Sequence, residues 1–183
     1  MSHFEYVSVA TALVYALAVG RLLSGLSVSL SSDKRYWVHT TWVFTLLLIC
    51  VFSWWTMWNL NEVTWTPIRF LWVLSLPSLL YLRANILLGR PGNEPDSYYD
   101  YFYVQRRLFF SLGIGISVWI ALTPWVQGIY PWLRLAPIHI NAVILASISL
   151  LGFWSGSPTV HGALAILSIV GTASGFFIIR VAV

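Results

Sequence analysis

Two arginines, Arg21 and Arg83, lie inside long apolar stretches of this sequence. A charged side chain within an apolar stretch of membrane length is costly and is therefore a candidate for function. No Asp or Glu occurs at a similar depth in these stretches, so a guanidinium group there needs another acceptor. An anion, a lipid phosphate or water in a cavity would serve, with Asn85 and Ser24 as the nearest neutral partners. The alternative is snorkelling or plain structural hydrogen bonding, because each arginine is only a few residues from the end of its stretch.

Three histidines, His39, His161 and His139, are candidates for a haem site or a proton-linked site. His39 and His161 lie near the same end of two different stretches, and facing helices can hold haem through histidines. An ordinary hydrogen-bonded histidine at the membrane edge is the other interpretation of both. The stretches contain no H-x-x-x-H or C-x-x-C spacing and no paired carboxylates. We therefore expect no metal, no cofactor and no catalytic residues.

Small residues recur at four-residue spacing on the first apolar stretch and are candidates for the lining of an ion pathway. They are Ser8, Ala12, Ala16, Gly20 and Ser24. Helix packing is the alternative, because small residues let helix backbones approach closely in lipid. Glu5 opens the same stretch, either as an entry site for a proton or cation or as a structural partner of Arg69 or Arg180.

The composition predicts a lipid environment for all of these residues. The chain has 183 residues, of which 58% are hydrophobic and 9% charged, against about 25% charged residues in a typical soluble domain. A chain this poor in charge cannot cover a surface that faces water. The net charge of +4 suits contact with anionic lipid headgroups. The basic residues are scattered, which argues against nucleic-acid binding.

Six stretches are long and apolar enough to cross a bilayer as α-helices, which need about 20 residues each. The predicted helices cover residues 4–30, 36–60, 67–88, 108–127, 137–154 and 158–180. The long apolar runs do not alternate apolar and polar residues as the strands of a membrane barrel do. The sequence therefore predicts a single all-α transmembrane domain over residues 1–183, a bundle of about six helices with short loops.

The one long predicted connection covers residues 89–107 and contains an aromatic, mildly acidic segment, Tyr98–Tyr103. One interpretation is an interfacial segment at the level of the headgroups, where aromatic residues concentrate. The other is a docking surface for a partner, or a gate.

Basic residues favour one side of the predicted bundle, with five on that side and three on the other. The five are Lys34, Arg35, Arg90, Arg106 and Arg107, and the three are Arg69, Arg134 and Arg180. Cytoplasmic loops carry the excess of Lys and Arg, so we expect the long loop in the cytoplasm and both termini outside. A bacterial inner (plasma) membrane is the expected location.

The leading functional prediction is a channel or transporter for a small inorganic ion that acts as a homo-oligomer. The absence of a catalytic motif favours it over an enzyme, and positive charge at an inner mouth favours anions. One alternative is an accessory or anchoring subunit of a larger membrane complex, with Tyr98–Tyr103 as its docking surface. The other is a haem-binding electron-transfer protein that uses His39 and His161.

Overall fold

A computed structural model describes residues 2–31, 35–90, 95–129 and 137–181, and describes side chains for these residues except 31, 137 and 175–181. Within these ranges every regular element is helical and no strand occurs, which confirms the all-α prediction. The helices are α1 (His3–Ser31), α2 (Trp37–Thr56), α3 (Pro67–Leu88), α4 (Tyr98–Val126), α5 (Pro137–Trp154) and α6 (Pro158–Val181). A short 3₁₀ helix, Met57–Leu60, continues α2.

Four helical segments are long and apolar enough to cross a membrane, by length and composition. They are His3–Leu30, Trp37–Leu60, Pro67–Leu88 and Tyr98–Val126. In α5 and α6 the described apolar helices are shorter, Ile138–Trp154 and Pro158–Ser174. The outer surface is also apolar, since Leu13, Ile68 and Trp154 are 66%, 74% and 77% exposed. Such a surface is compatible with insertion into lipid.

Prolines mark the start of three helices. Pro67, Pro137 and Pro158 are the first residues of α3, α5 and α6, a position where the missing N–H of proline has no helical acceptor to lose. Before Pro67, the Thr66 hydroxyl accepts a hydrogen bond from the Arg69 amide at 3.4 Å. These three starts agree with the predicted ones.

The predicted bounds of the fourth helix are wrong, because α4 begins at Tyr98 and not at residue 108. The Ser97 hydroxyl caps its first turn by accepting a hydrogen bond from the Asp100 amide at 3.2 Å. Tyr98 and Phe102 lie one turn apart, are 4% and 1% exposed, and pack into the bundle. The aromatic segment is therefore the first part of a 29-residue helix and not a loop.

Successive helices alternate in direction across the bundle. α1 and α3 are parallel, since Tyr6 packs on Phe70 near their starts and Arg21 bonds to Asn85 near their ends. α2 packs against α1, α3 and α6, and α4 packs against α3 and α5. We call the end of the bundle at which α1, α3 and α5 finish the Arg90 end.

Aromatic rings fill the interior in the half of the bundle nearer the Arg90 end. The centroids of the Trp42, Phe109 and Phe110 rings lie between 5.1 and 5.4 Å apart in edge-to-face contacts. All three side chains are fully buried. Two of them, Trp42 and Phe109, lie against the guanidinium group of Arg83.

Candidate functional site

The Arg83 side chain lies in the centre of the bundle and is only 1% exposed. Its guanidinium carbon lies 4.2 Å from the centre of the Phe109 ring and 5.7 Å from the centre of the Trp42 ring. These rings come from α4 and α2, and aromatic faces attract a cation. The side chain thus points into the protein, which argues against snorkelling for Arg83.

Several buried hydrogen-bonding groups around this guanidinium have no partner among the described residues. They are Arg83 Nε, Arg83 Nη2, Trp42 Nε1 and the Ser149 hydroxyl. Arg83 Nε and Nη2 share one edge of the guanidinium group, the edge that binds two oxygens of an anion at once. Ser149 belongs to α5, so α2, α3, α4 and α5 all contribute. We call Arg83, Trp42, Phe109, Gly113 and Ser149 the Arg83 cluster.

Gly113 on α4 lets the side chains of Arg83 and Ser149 pack closely against the α4 backbone. A Cβ atom on this glycine would overlap the Ser149 hydroxyl and would lie 3.1 Å from Arg83 Nη2. Both polar groups therefore border the same small volume beside the α4 backbone. Any side chain at position 113 would occupy that volume.

The described part of the chain supplies no negative charge to balance Arg83, which has neither an ion pair nor a hydrogen-bonded acceptor there. Burying an ion costs several kcal/mol even after the surroundings relax. A desolvated cation–π contact contributes about 2 kcal/mol, so the two rings offset only part of that cost. An anion or ordered water would provide the missing acceptor.

Arg21, in contrast to Arg83, has two acceptors within the protein. Its Nε donates to Asn85 Oδ1 at 3.2 Å, and its Nη2 donates to the Gly89 carbonyl oxygen. A cation beside the last carbonyl groups of a helix is stabilised by the helix dipole. Arg21 and Asn85, both predicted pathway residues, therefore join α1 to the end of α3.

The end of α3 receives a side chain from each of two further helices. His39 Nε2 on α2 donates to the Leu87 carbonyl oxygen at 2.9 Å, and the Tyr101 hydroxyl on α4 donates to the Ile86 carbonyl oxygen at 3.0 Å. The last carbonyl groups of a helix have no partner within it. These donors supply that partner, and His39 has a structural role here.

His161 lies near the start of α6 among aromatic rings. Its Nε2 donates to the Ser155 carbonyl oxygen at 3.0 Å, and its ring stacks on Phe110 with the centroids 5.6 Å apart. The Phe102 ring meets it edge-on. Because His39 and His161 both use Nε2 for a backbone carbonyl, a haem iron bound through Nε2 would have to displace both hydrogen bonds.

His139 and Glu5 lie at the end of the bundle opposite the Arg90 end. The His139 ring packs against Trp125 at a centroid distance of 5.2 Å. Glu5 Oε2 accepts a hydrogen bond from the Ser2 amide at 2.9 Å, and the Ser2 hydroxyl accepts one from the Glu5 amide at 3.2 Å. This reciprocal pair is a capping box at the start of α1.

The basic residues at that opposite end are only partly described. Arg69, one of the two expected partners of Glu5, donates to the backbone carbonyl oxygens of Val126 and Thr64 at 3.1 and 2.6 Å. The side chain of Arg180 lies outside the described residues. Arg134 lies outside them as well, so the predicted orientation of the bundle stays a prediction.

The small residues of α1 lie away from the Arg83 cluster. Gly20 and Ser24 are exposed on the outer surface, and a Cβ on Gly20 would meet nothing within 4 Å. The Ser24 hydroxyl donates to the Gly20 carbonyl oxygen at 2.9 Å. Ser8 is half-buried near the start of the helix. The predicted pathway residues are therefore not gathered in one place.

The aromatic start of α4 is engaged within the chain. The Tyr36 hydroxyl, just before α2, lies 3.3 Å from the Tyr103 hydroxyl, and its ring meets the Tyr99 ring edge-on at 5.0 Å. Burial raises the pKa of Tyr36, so this phenol stays neutral. Of the segment, Tyr98 and Phe102 are buried, Tyr101 and Tyr103 are half-buried, and Tyr99 and Asp100 are exposed, so one face packs within the chain.

The sequence points to Arg83 but not to the residues that surround it. Trp42, Phe109 and Ser149 are uncharged residues on apolar helices, and nothing in their spacing distinguishes them. The one available signal was the small residue Gly113 within the apolar run of α4.

Known proteins and metal chemistry give no further assignment. Within the part of the chain that the structure describes, no three His, Cys, Asp or Glu side chains gather to hold a metal ion. Models of protein families, curated proteins and solved structures contain no match to this chain. The chain's own geometry therefore carries the functional assignment.

Proposed function

We propose that this chain is an integral membrane protein with six spanning helices that transports a small anion, which binds at the Arg83 cluster. The carrying observation is the fully buried Arg83 guanidinium with Nε and Nη2 left without an acceptor. Ionisable residues at membrane depth that face the bundle interior are candidates for function, and ion pathways are among the functions they mark.

The chemistry of the cluster favours an anion with two or more oxygens. The free guanidinium edge matches two oxygens of nitrate, bicarbonate or a carboxylate, and Ser149 and Trp42 offer further O–H and N–H groups nearby. The rings of Trp42 and Phe109 exclude water and strengthen these interactions through a low local dielectric. A cation would be repelled by Arg83.

Six crossings and a cytoplasmic Arg90 end are part of this proposal. α5 and α6 have 18 and 24 residues, within the range of about 17–25 residues that spanning helices use. The exposed residues Arg35, Arg90 and Arg107 belong to that end, and an excess of basic residues is typical of the cytoplasmic side. A bacterial inner membrane is the proposed location.

The proposed pathway lies within one chain. Four helices of a single protomer surround the Arg83 cluster, so transport through it needs no axis shared between copies. The homo-oligomer stays a prediction from the sequence. Neither alternative gains comparable support, because the aromatic segment and both histidines are engaged within the bundle.

The test is anion flux from liposomes that contain the purified protein, driven in turn by nitrate, chloride, potassium and proton gradients. We expect the wild-type protein to transport nitrate and the Arg83→Met variant to lose this transport. Methionine has a similar volume but no guanidinium group to bind the anion. Arg21→Met is the matched control, since it removes an equal charge that already has acceptors. The folded fraction of the Arg21→Met variant should keep the nitrate selectivity of wild type.

Two results would overturn the proposal. One is a correctly inserted wild-type protein that moves no anion under any gradient. The other is nitrate flux that Arg83→Met and Arg21→Met reduce equally, which would make Arg83 one structural arginine among others.

A further inference from the structure

A groove runs along the outward face of α3 from Leu71, near the start of the helix, to Leu82. It has a volume of about 320 Å³ and is lined only by α3. Its lining residues are Leu71, Leu74, Ser75, Ser78, Leu79 and Leu82. The two serines do not present free hydroxyl hydrogens, since Ser75 donates to the Trp72 carbonyl and Ser78 to the Leu74 carbonyl. The groove is therefore apolar in character.

A second, more polar pocket of about 450 Å³ continues this groove to the Arg90 end. The two share Leu82. The other lining residues of the second pocket are Asn85, Ile86, Gly89, Arg90, Tyr101 and Gln105. Arg21 borders it as well, because it donates to Asn85 and Gly89. The apolar groove thus leads into the polar pocket, and two arginines lie beside that pocket.

We infer that this continuous groove binds one phospholipid with an anionic headgroup, with the phosphate beside Arg90 and one acyl chain along α3. Arg90 is exposed, and its side chain has no hydrogen-bond partner among the described residues. Arginine is well suited to a phosphate because its N–H groups match two phosphate oxygens. This inference rests on the proposed membrane insertion and not on anion transport.

The groove and the pocket together follow almost the whole of α3. From Leu71 to Leu88 the helix rises about 26 Å, at 1.5 Å per residue, and half of a hydrocarbon core of about 30 Å is about 15 Å. An acyl chain that starts at the Arg90 pocket and crosses one leaflet therefore follows α3 to about Ser78. The part of the groove nearest Leu71 lies beyond that point.

The polar part fits a headgroup that carries negative charge. The Gln105 amide has no hydrogen-bond partner in the described ranges, and the Tyr101 hydroxyl can accept a bond while it donates to Ile86. Asp100 precedes Tyr101 in the sequence but does not line the pocket. A zwitterionic headgroup would place a second cation beside Arg21 and Arg90, which is unfavourable at short distance.

The test is native mass spectrometry of the full-length protein released from nanodiscs that hold equal amounts of phosphatidylglycerol and phosphatidylcholine. We expect one retained phosphatidylglycerol on the wild-type protein and at least a tenfold loss of that species in Arg90→Gln. Arg107→Gln is the matched control, because Arg107 is an exposed arginine of the same end that packs over Phe153, outside the groove. It should retain the lipid.

The remaining outcomes each have one meaning. Equal retention of the two lipids, or equal loss in both arginine variants, would overturn the inference in favour of general attraction to anionic lipid. Loss of the retained phosphatidylglycerol when inorganic phosphate is added to the nanodiscs would overturn it in favour of a free-phosphate site. Extraction of the protein from membranes by carbonate would instead refute the proposed insertion. None of the lipid results tests the proposed anion transport.

Discussion

The substitution Gly113→Ala adds one methyl group to the volume between Arg83 and Ser149. Its Cβ would overlap the Ser149 hydroxyl and lie 3.1 Å from Arg83 Nη2. Overpacking of this kind costs about 1–3 kcal/mol. If an anion occupies the volume, the methyl group also displaces it, so we expect at least a tenfold loss of affinity, which corresponds to about 1.4 kcal/mol.

Gly115→Ala is the control on the same helix. A Cβ at this position would meet nothing within 4 Å, and both variants gain the same helix propensity of about 1 kcal/mol. The difference in unfolding free energy between Gly113→Ala and Gly115→Ala therefore isolates the crowding at the Arg83 cluster. We expect Gly115→Ala to be the more stable by about 1–3 kcal/mol.

The assay is thermal unfolding of each purified variant in detergent, measured by circular dichroism with and without nitrate. A ligand that binds only the folded protein stabilises it by about 2.7 kcal/mol at a hundred times its dissociation constant. We expect nitrate at this concentration to stabilise wild type and Gly115→Ala by about 2.7 kcal/mol and Gly113→Ala by about 1.4 kcal/mol or less. Equal stabilisation of all three proteins would refute an anion site between Arg83 and Ser149, and so would the absence of any effect on wild type.

Two further outcomes follow from the same contacts. Without anion, Arg83→Met should leave the unfolding free energy unchanged or raise it, because replacing an uncompensated buried charge by an apolar side chain is often stabilising. A clear loss of stability in the same unfolding assay would show instead that the contacts of Arg83 with the two rings stabilise the fold. Tyr101→Phe should lower stability by about 1 kcal/mol, because the Ile86 carbonyl loses its donor. The same change at the more exposed Tyr99 should be nearly neutral. Equal losses of stability in thermal unfolding of the two variants would contradict the role of Tyr101 as this donor.

The sequence predicts the helices better than it predicts the site. Long apolar stretches and the prolines at 67, 137 and 158 are local signals, and they locate three helix starts correctly. The predicted start of the fourth helix is too late, because Pro95 and the polar hydroxyl groups of the tyrosines are typical of a loop. Ser97 caps that helix, and the rings of Tyr98 and Phe102 pack inwards, which only the neighbouring helices make favourable.

The difference between Arg21 and Arg83 is not visible in the sequence. Both lie at similar depth in apolar helices, and a helix that is apolar on all sides has no periodicity to show which face turns inwards. Rotation about the axis places Arg21 against the end of α3 and Arg83 between two rings. The partners of Arg83 come from distant parts of the chain, which local patterns do not connect.

The shared closure of the α3 end has a consequence for how the protein is made. Its carbonyl groups accept hydrogen bonds from Arg21, His39 and Tyr101, and Tyr101 is the last of these to leave the ribosome. A nascent chain of three helices therefore lacks the donor that Tyr101 brings to the Ile86 carbonyl, and a helix end is less stable without such a partner. The first four helices should assemble as one cooperative unit once α4 arrives, and α5 then completes the surroundings of Arg83 by bringing Ser149.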